Sequence, residues 1–178
     1  MKIKRSSDKI KSLLKGLAIC PWWAGPILAA SVRRLIHHPA RLLRPYLSDG
    51  MTVMDVGCGM GFFSAPMAKM VGTEGRVIAV DLQFRMLAGM TQYANKEAVT
   101  DRIEPHLCSA DSLHIERWNG AVDFILVFMM LHEVPDQKRM IREFYIALRP
   151  GGRLLFAEPI VHVDKKMYGS ELAKMKNA

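Results

Sequence analysis

The sequence is poor in cysteine. Cys20, Cys58 and Cys108 are the only three in 178 residues, and they form no CxxC pair and join no His-rich cluster with metal-ligand spacing. That excludes a disulfide framework and a structural zinc site, and it suits a reducing, cytoplasmic setting. An uninterrupted apolar run of membrane-spanning length is also missing. The nearest candidate runs from Gly16 to Ala30, about fifteen residues where a span needs about twenty, and Pro21, Trp22, Trp23 and Pro26 break it. Its small-residue end behind a Lys-rich stretch imitates a secretory leader, but the basic region is long and contains Asp8. No repeat and no low-complexity segment stands out.

Charge of one sign is scarce outside the first fifty residues. Those fifty hold ten Lys/Arg against Asp8 and Asp49, which accounts for the net charge of +8, and the rest of the chain balances at fifteen of each sign. Basicity therefore describes an arm, and the core has no global attraction for nucleic acid. Such an arm is either a solvated helix face or a surface lying on an acidic partner or a membrane. The length fits one domain with an appendage.

What is present is an alternation of strand and helix. A helix is expected from Pro39, with Leu42, Leu43 and Leu47 on its apolar side, and Asp49-Gly50 ends the arm. Short apolar runs at 52–56, 76–80, 103–108, 122–128 and 153–158 read as strands, several too continuously apolar to have a wet face. Helices are expected at 61–71, 83–97 and 136–148, with a short one near 111–117. Asp136 is a candidate N-cap, and Pro150-Gly151-Gly152 is the turn after the last helix. The pattern predicts an α/β fold with an open, doubly wound, mostly parallel sheet of about five strands. Ligands of such sheets bind beyond the carboxyl ends of the strands.

The segment VMDVGCGMGFFS (53–64) occupies that place after the first strand. No lysine follows its glycines, so a Walker A phosphate loop is excluded. The dinucleotide fingerprint needs a small residue where Phe62 stands, which argues against close packing around a pyrophosphate. What remains is Gly57, Gly59 and Gly61 preceded by Asp55 within the strand. A carboxylate there repels a phosphate but suits a ligand ammonium group, and the following helix N-terminus suits a ligand carboxylate. S-adenosylmethionine carries both groups. Cys58, between two of the glycines, reads as a small hydrophobe packed under the loop.

From about residue 50 to about residue 160 the sequence resembles the class I S-adenosylmethionine-dependent methyltransferases. VMDVGCGMGFFS is similar to that family's first motif, and VIAVD (77–81) to its second-strand motif. ADS (110–112), VDFILVFMMLHEVPD (122–136) and ALRPGGRLLFAEP (147–159) are similar to the motifs that follow. The resemblance implies a Rossmann-like domain over 50–160, preceded by a helical arm or lid over 1–49 and followed by a short tail over 161–178. It implies S-adenosylmethionine as cofactor. Asp81 would bind the ribose hydroxyls, Leu82 and Gln83 would flank the adenine, and Asp111 with Ser112 would meet its amino edge. Phe128, ending the fourth strand, joins this cofactor-binding set.

His132 and Glu133, just past the fourth strand, are the candidate acid or base. No metal is implied. The Asn-Pro-Pro-Tyr type of motif used on nucleic acid bases or protein glutamine is missing, which points to a small-molecule acceptor. Trp22 and Trp23 are expected to wall the acceptor pocket or simply to dock the arm. The family's last two strands find no room after residue 158, so the fifth strand is expected to need cover from the tail or from a second copy in a homodimer. A shortened, catalytically weak cofactor-binding domain is the rival reading, and RNA methylation rests on the basic arm alone.

Overall fold

Strands covered on both faces must bury alternate residues in opposite directions, so the sheet should divide its apolar residues between two cores. The structure, a computed structural model that describes residues 38–158, does so. The expectations for the arm up to residue 37, with Trp22 and Trp23, and for the tail from 159 lie outside the described residues. So does the side chain of His132.

Helix α1 (Pro39–Leu43) begins with proline, and the His38 ring nitrogen accepts from the Arg41 amide at 3.4 Å. Then follow β1 (Thr52–Val56), α2 (Ser64–Met70), β2 (Arg76–Asp81), α3 (Phe84–Lys96), β3 (Ile103–Leu107), β4 (Val122–Phe128), α4 (Gln137–Ala147) and β5 (Leu148–Ala157). The strand order is β3-β2-β1-β4-β5, and every neighbouring pair is parallel. The chain thus winds outward from β1 in one direction and then restarts at β4 in the other. The reversal lies between β1 and β4, and the crevice at their carboxyl ends is where a doubly wound sheet binds ligands.

One core joins Val53, Val77, Ala79, Phe124 and Leu126 to Met67 and Ala68 of α2 and to Leu87 and Met90 of α3. The other joins Met54, Val56, Ile78, Val80, Ile125 and Val127 to Met140, Phe144 and Ala147 of α4. Along β1, Val53 therefore faces α2 and α3 while Met54 and Val56 face α4, which is the period-2 rule made visible. Pro105 sits on the edge strand β3, where its missing N–H breaks no central ladder.

Three local differences from expectation have physical causes. Helix α2 starts at Ser64 instead of 61, because Gly61 has φ +84° and belongs to the loop. The short helix expected near 111–117 is an irregular loop with one 3-10 turn, Glu116–Trp118, and His114 at φ +53° cannot extend a helix. Pro150-Gly151-Gly152 is not a turn separating α4 from β5. Val122 pairs with Leu148, the register then shifts, and Phe124 pairs with Arg153. The Pro-Gly-Gly residues form a bulge inside β5, with Gly151 at φ +79°.

Phe144 is fully buried in the α4 core. Phe144→Ala should lower the unfolding free energy by about 3–5 kcal/mol, the usual cost of a core phenylalanine cavity. Urea denaturation with an unchanged slope would show it, and a loss below about 1 kcal/mol would mean that α4 does not close this core.

Candidate functional site

The chain leaves β1 in a loop whose three glycines have positive φ: Gly57 at +73°, Gly59 at +53° and Gly61 at +84°. They serve different ends. A Cβ on Gly57 would lie 2.8 Å from Met130 Cγ, and one on Gly61 would lie 2.9 Å from Met90 Cγ. These two glycines let the loop close on the protein itself. A Cβ on Gly59 would meet nothing within 4 Å, so the middle glycine borders open space at the crevice. The loop is pinned over β2, because the amides of Gly57 and Cys58 both donate to the Val80 carbonyl, at 2.9 and 3.0 Å.

Asp81, ending β2, is 8% exposed and faces this loop. Its Oδ2 accepts from the Gly59 amide at 2.9 Å and its Oδ1 from the Gln83 amide at 2.8 Å. Each oxygen retains a further lone pair for a ligand hydroxyl. Burial pushes its carboxyl above the usual range, and the backbone bonds from Gln83, Gly59 and Leu82 oppose that rise. Leu82 and Gln83 are half-buried beside it, and Phe84, the next residue, is 72% exposed.

Asp55 is 2% exposed, and its Oδ2 accepts from Ser64 Oγ at 2.6 Å. This bond joins the strand before the glycine loop to the helix after it, so the loop is closed at both ends. An acid inside an apolar strand needs a partner; Ser64 did not stand out in the sequence, although its position one residue past the loop was the available signal. Phe62 and Phe63 are both buried, their rings edge-on at 5.0 Å, and Phe63 lies 4.6 Å from the half-buried ring of Phe128. Phe62 thus fills volume that a dinucleotide loop leaves for close helix packing. Cys58 is buried, and burial, then Asp55 and Asp81, push its thiol well above the ordinary range. Cys108, beside the Asp81 carbonyl, is pushed up to about 11, first by burial and then by Asp81. Neither is a nucleophile near neutral pH.

Beyond β3, Asp111 is fully exposed, and the Ser109 hydroxyl donating to it at 2.6 Å holds its carboxyl below the usual range. Ser112 is buried and caps no helix, since none follows; its hydroxyl donates to Glu143 of α4 at 3.1 Å. Beyond β4, Met129 takes φ +56° and its amide donates to the Ala157 carbonyl at 2.7 Å. The 3-10 turn Leu131–Glu133, which carries His132 and Glu133, is held at Leu131 from two sides. The Leu131 amide donates to Glu158 at 2.7 Å, and Gln137 donates to the Leu131 carbonyl at 3.1 Å. Glu158, Gln137, Glu143 and Ser109 were not singled out from the sequence, because side chains bonded to main-chain groups leave no spacing signal.

Asp55, the glycines, Asp81 to Gln83, Asp111, Phe128 and the 131–133 turn thus all lie at the carboxyl ends of the strands. Among the described residues no group of three His, Cys, Asp or Glu could hold a metal ion, and no helix is long and apolar enough to cross a membrane.

The family model described as a methyltransferase domain matches residues 47–177. An arsenite methyltransferase of Aquipseudomonas alcaligenes is 28% identical over 93% of this chain and 49% of its own length. A ubiquinone/menaquinone biosynthesis C-methyltransferase of an Enterobacter species is 32% identical over 67% of this chain and 48% of its own. The chain spans about half the length of these curated relatives. A solved structure of a SAM-dependent methyltransferase from Aquifex aeolicus has the same fold, with TM-score 0.77 at 24% identity over 88% of each chain.

Two outcomes test the site's local physics. Gly59→Ala should cost only the left-handed backbone penalty, about 1–2 kcal/mol. Gly57→Ala should cost about 1–3 kcal/mol more, because Met130 must move; equal melting temperatures would contradict the packing assigned to Gly57. Alkylation of Cys108 should rise through pH about 11 instead of about 9, because its protonated thiol persists to higher pH. Site-resolved mass spectrometry across that range reads it, and full reactivity at pH 9 would refute it.

Proposed function

The chain belongs to the class I S-adenosylmethionine-dependent methyltransferase family, and on that premise we propose that it binds S-adenosylmethionine and methylates a small-molecule acceptor. The observation that carries the reading is the pairing of open space at Gly59 with the buried carboxylate of Asp81 bonded to the Gly59 amide. A ligand that lies against main chain and offers hydroxyls to a carboxylate fits there. A pyrophosphate does not, with Asp55 and Asp81 both close to the loop.

In this reading Asp81 takes the ribose hydroxyls on its remaining lone pairs, and Leu82 and Gln83 flank the adenine. Asp111, kept an acceptor by Ser109, receives the adenine amino group. Asp55 and the loop of Gly57, Gly59 and Gly61 seat the methionine portion. Ser112 acts through its anchorage to Glu143, and Phe128 through the aromatic packing that fixes the end of β4.

S-adenosylmethionine supplies a methyl group that is already activated. The chain's share is to align the acceptor in line with it and to keep water out, and orientation provides much of the acceleration. For an acceptor that arrives protonated, His132 or Glu133 takes the proton, because the Leu131–Glu133 turn directly follows β4 at the carboxyl ends of the strands. The relatives are named as an arsenite methyltransferase and a ubiquinone/menaquinone biosynthesis C-methyltransferase; for this chain the acceptor class proposed is a small molecule, without a nucleic acid. The cysteine usage supports a cytoplasmic setting.

Calorimetry with S-adenosylmethionine and S-adenosylhomocysteine should show binding, and Asp81→Ala should weaken it at least about tenfold, the scale of one lost bond to a charged group. Methyl transfer is then followed with labelled cofactor across a panel of small acceptors. Absence of binding to either ligand, with Asp81→Ala indistinguishable from the parent, would sink the assignment.

A further inference from the structure

The exposed carboxylate of Asp111 is of use to a ligand only if something holds it in place, and its own loop has no regular structure. The residues between β3 and the Glu116–Trp118 turn make no helix and no strand. Order comes instead from one side chain of α4. Glu143 reaches the loop with both oxygens: Oε1 accepts from Ser112 Oγ at 3.1 Å and Oε2 from the Leu113 amide at 2.8 Å. Ser112 is 4% exposed and Leu113 fully buried, so these donors have little water to turn to. Arg139, one helical turn earlier, places its Nε 3.4 Å from Glu143 Oε1 and so braces the carboxylate from its own helix.

From that anchor the bonds run outward. The Ser112 hydroxyl accepts from the His114 amide at 3.2 Å. The Ser112 carbonyl accepts from the Ser109 amide at 3.0 Å, and the Ser112 amide donates to Ser109 Oγ at 3.3 Å, closing a small ring. The Ser109 hydroxyl then donates its proton to Asp111 at 2.6 Å, while His114 Nε2 stands 2.9 Å from the same oxygen. Three links therefore lead from α4 to the Asp111 carboxylate.

We infer that Glu143 is a positioning residue for recognition of the cofactor's adenine end: it touches no ligand, and it sets the loop on which Asp111 reads the amino group. The inference rests on the cofactor reading above. It differs from plain stabilisation in one respect. A carboxylate that only braces the fold would, when lost, weaken every ligand of the site alike. A carboxylate that places Asp111 would, when lost, weaken only ligands that have the amino group.

The test compares S-adenosylhomocysteine with its analogue carrying purine in place of adenine, by calorimetry on the full chain. The parent protein should prefer the amino compound by about tenfold or more, the worth of a charge-assisted hydrogen bond. Glu143→Ala should retain less than about threefold of that preference, and so should Asp111→Ala, with the analogue's affinity changed far less. Asp136→Ala removes the α4 cap, where Asp136 accepts from the Arg139 amide at 3.0 Å, and should cost stability while keeping the preference. If Glu143→Ala does not fold, Glu143→Gln serves, because its amide can still bridge Ser112 and Leu113 but without charge; an intermediate preference is expected. A folded Glu143 variant with the parent's full preference, or one weakened equally for both ligands, overturns the inference while leaving the cofactor reading intact. A parent that binds neither ligand overturns both.

Discussion

A single hydrogen bond, from the Gly59 amide to the buried carboxylate of Asp81, fixes the relation between the two strands that form the candidate site. Gly59 can be there only because the loop turns through left-handed conformations on both sides of it. Asp81 can be there only because parallel pairing of β1 and β2 brings Val56 level with Val80 and so sets the strand ends side by side. The burial of Asp81 makes its charge costly, and the amides of Gln83, Gly59 and Leu82 offset part of that cost. The glycine loop and the Asp81 carboxylate are therefore one unit, joined by the Gly59 bond. Asp55 with Ser64 closes the same unit from the opposite side.

The sheet was legible because continuous apolar strands leave few alternatives to a doubly wound arrangement. Val53 to Val56 and Val122 to Phe128 carry no polar face, so cover on both sides was required, and the two cores supply it. The glycine loop was legible for a related reason: left-handed backbone has a strong residue preference, and Gly57, Gly59 and Gly61 advertise it. Asp81 and Asp111 were marked by their order along the chain, and the structure sets both at the strand ends. Less legible were the segments where one side chain bonds a distant main chain. Glu143 to Leu113 spans thirty residues and Glu158 to Leu131 twenty-seven, and no periodicity announces either. The Pro-Gly-Gly sequence misled as a turn because a bulge uses the same residues for the same reason, a positive φ at Gly151.

The side proposed for the acceptor is built differently from the side proposed for the cofactor. Around Gly59 the polar groups are main-chain amides and a buried carboxylate, which have little freedom. Around the Leu131–Glu133 turn the main chain is suspended between Glu158, after β5, and Gln137, at the start of α4. Two separate elements thus hold the turn, and a shift of either is felt at the residues proposed to handle a proton.

Met130 ties the two loops together. Its side chain occupies the space under Gly57 although its backbone belongs to the loop after β4, so the two loops share one piece of volume. A branched or shorter residue at 130 would alter the floor of the glycine loop from a distance of some seventy residues along the chain. The position is tightly bounded, and an unbranched, pliable thioether fits the gap.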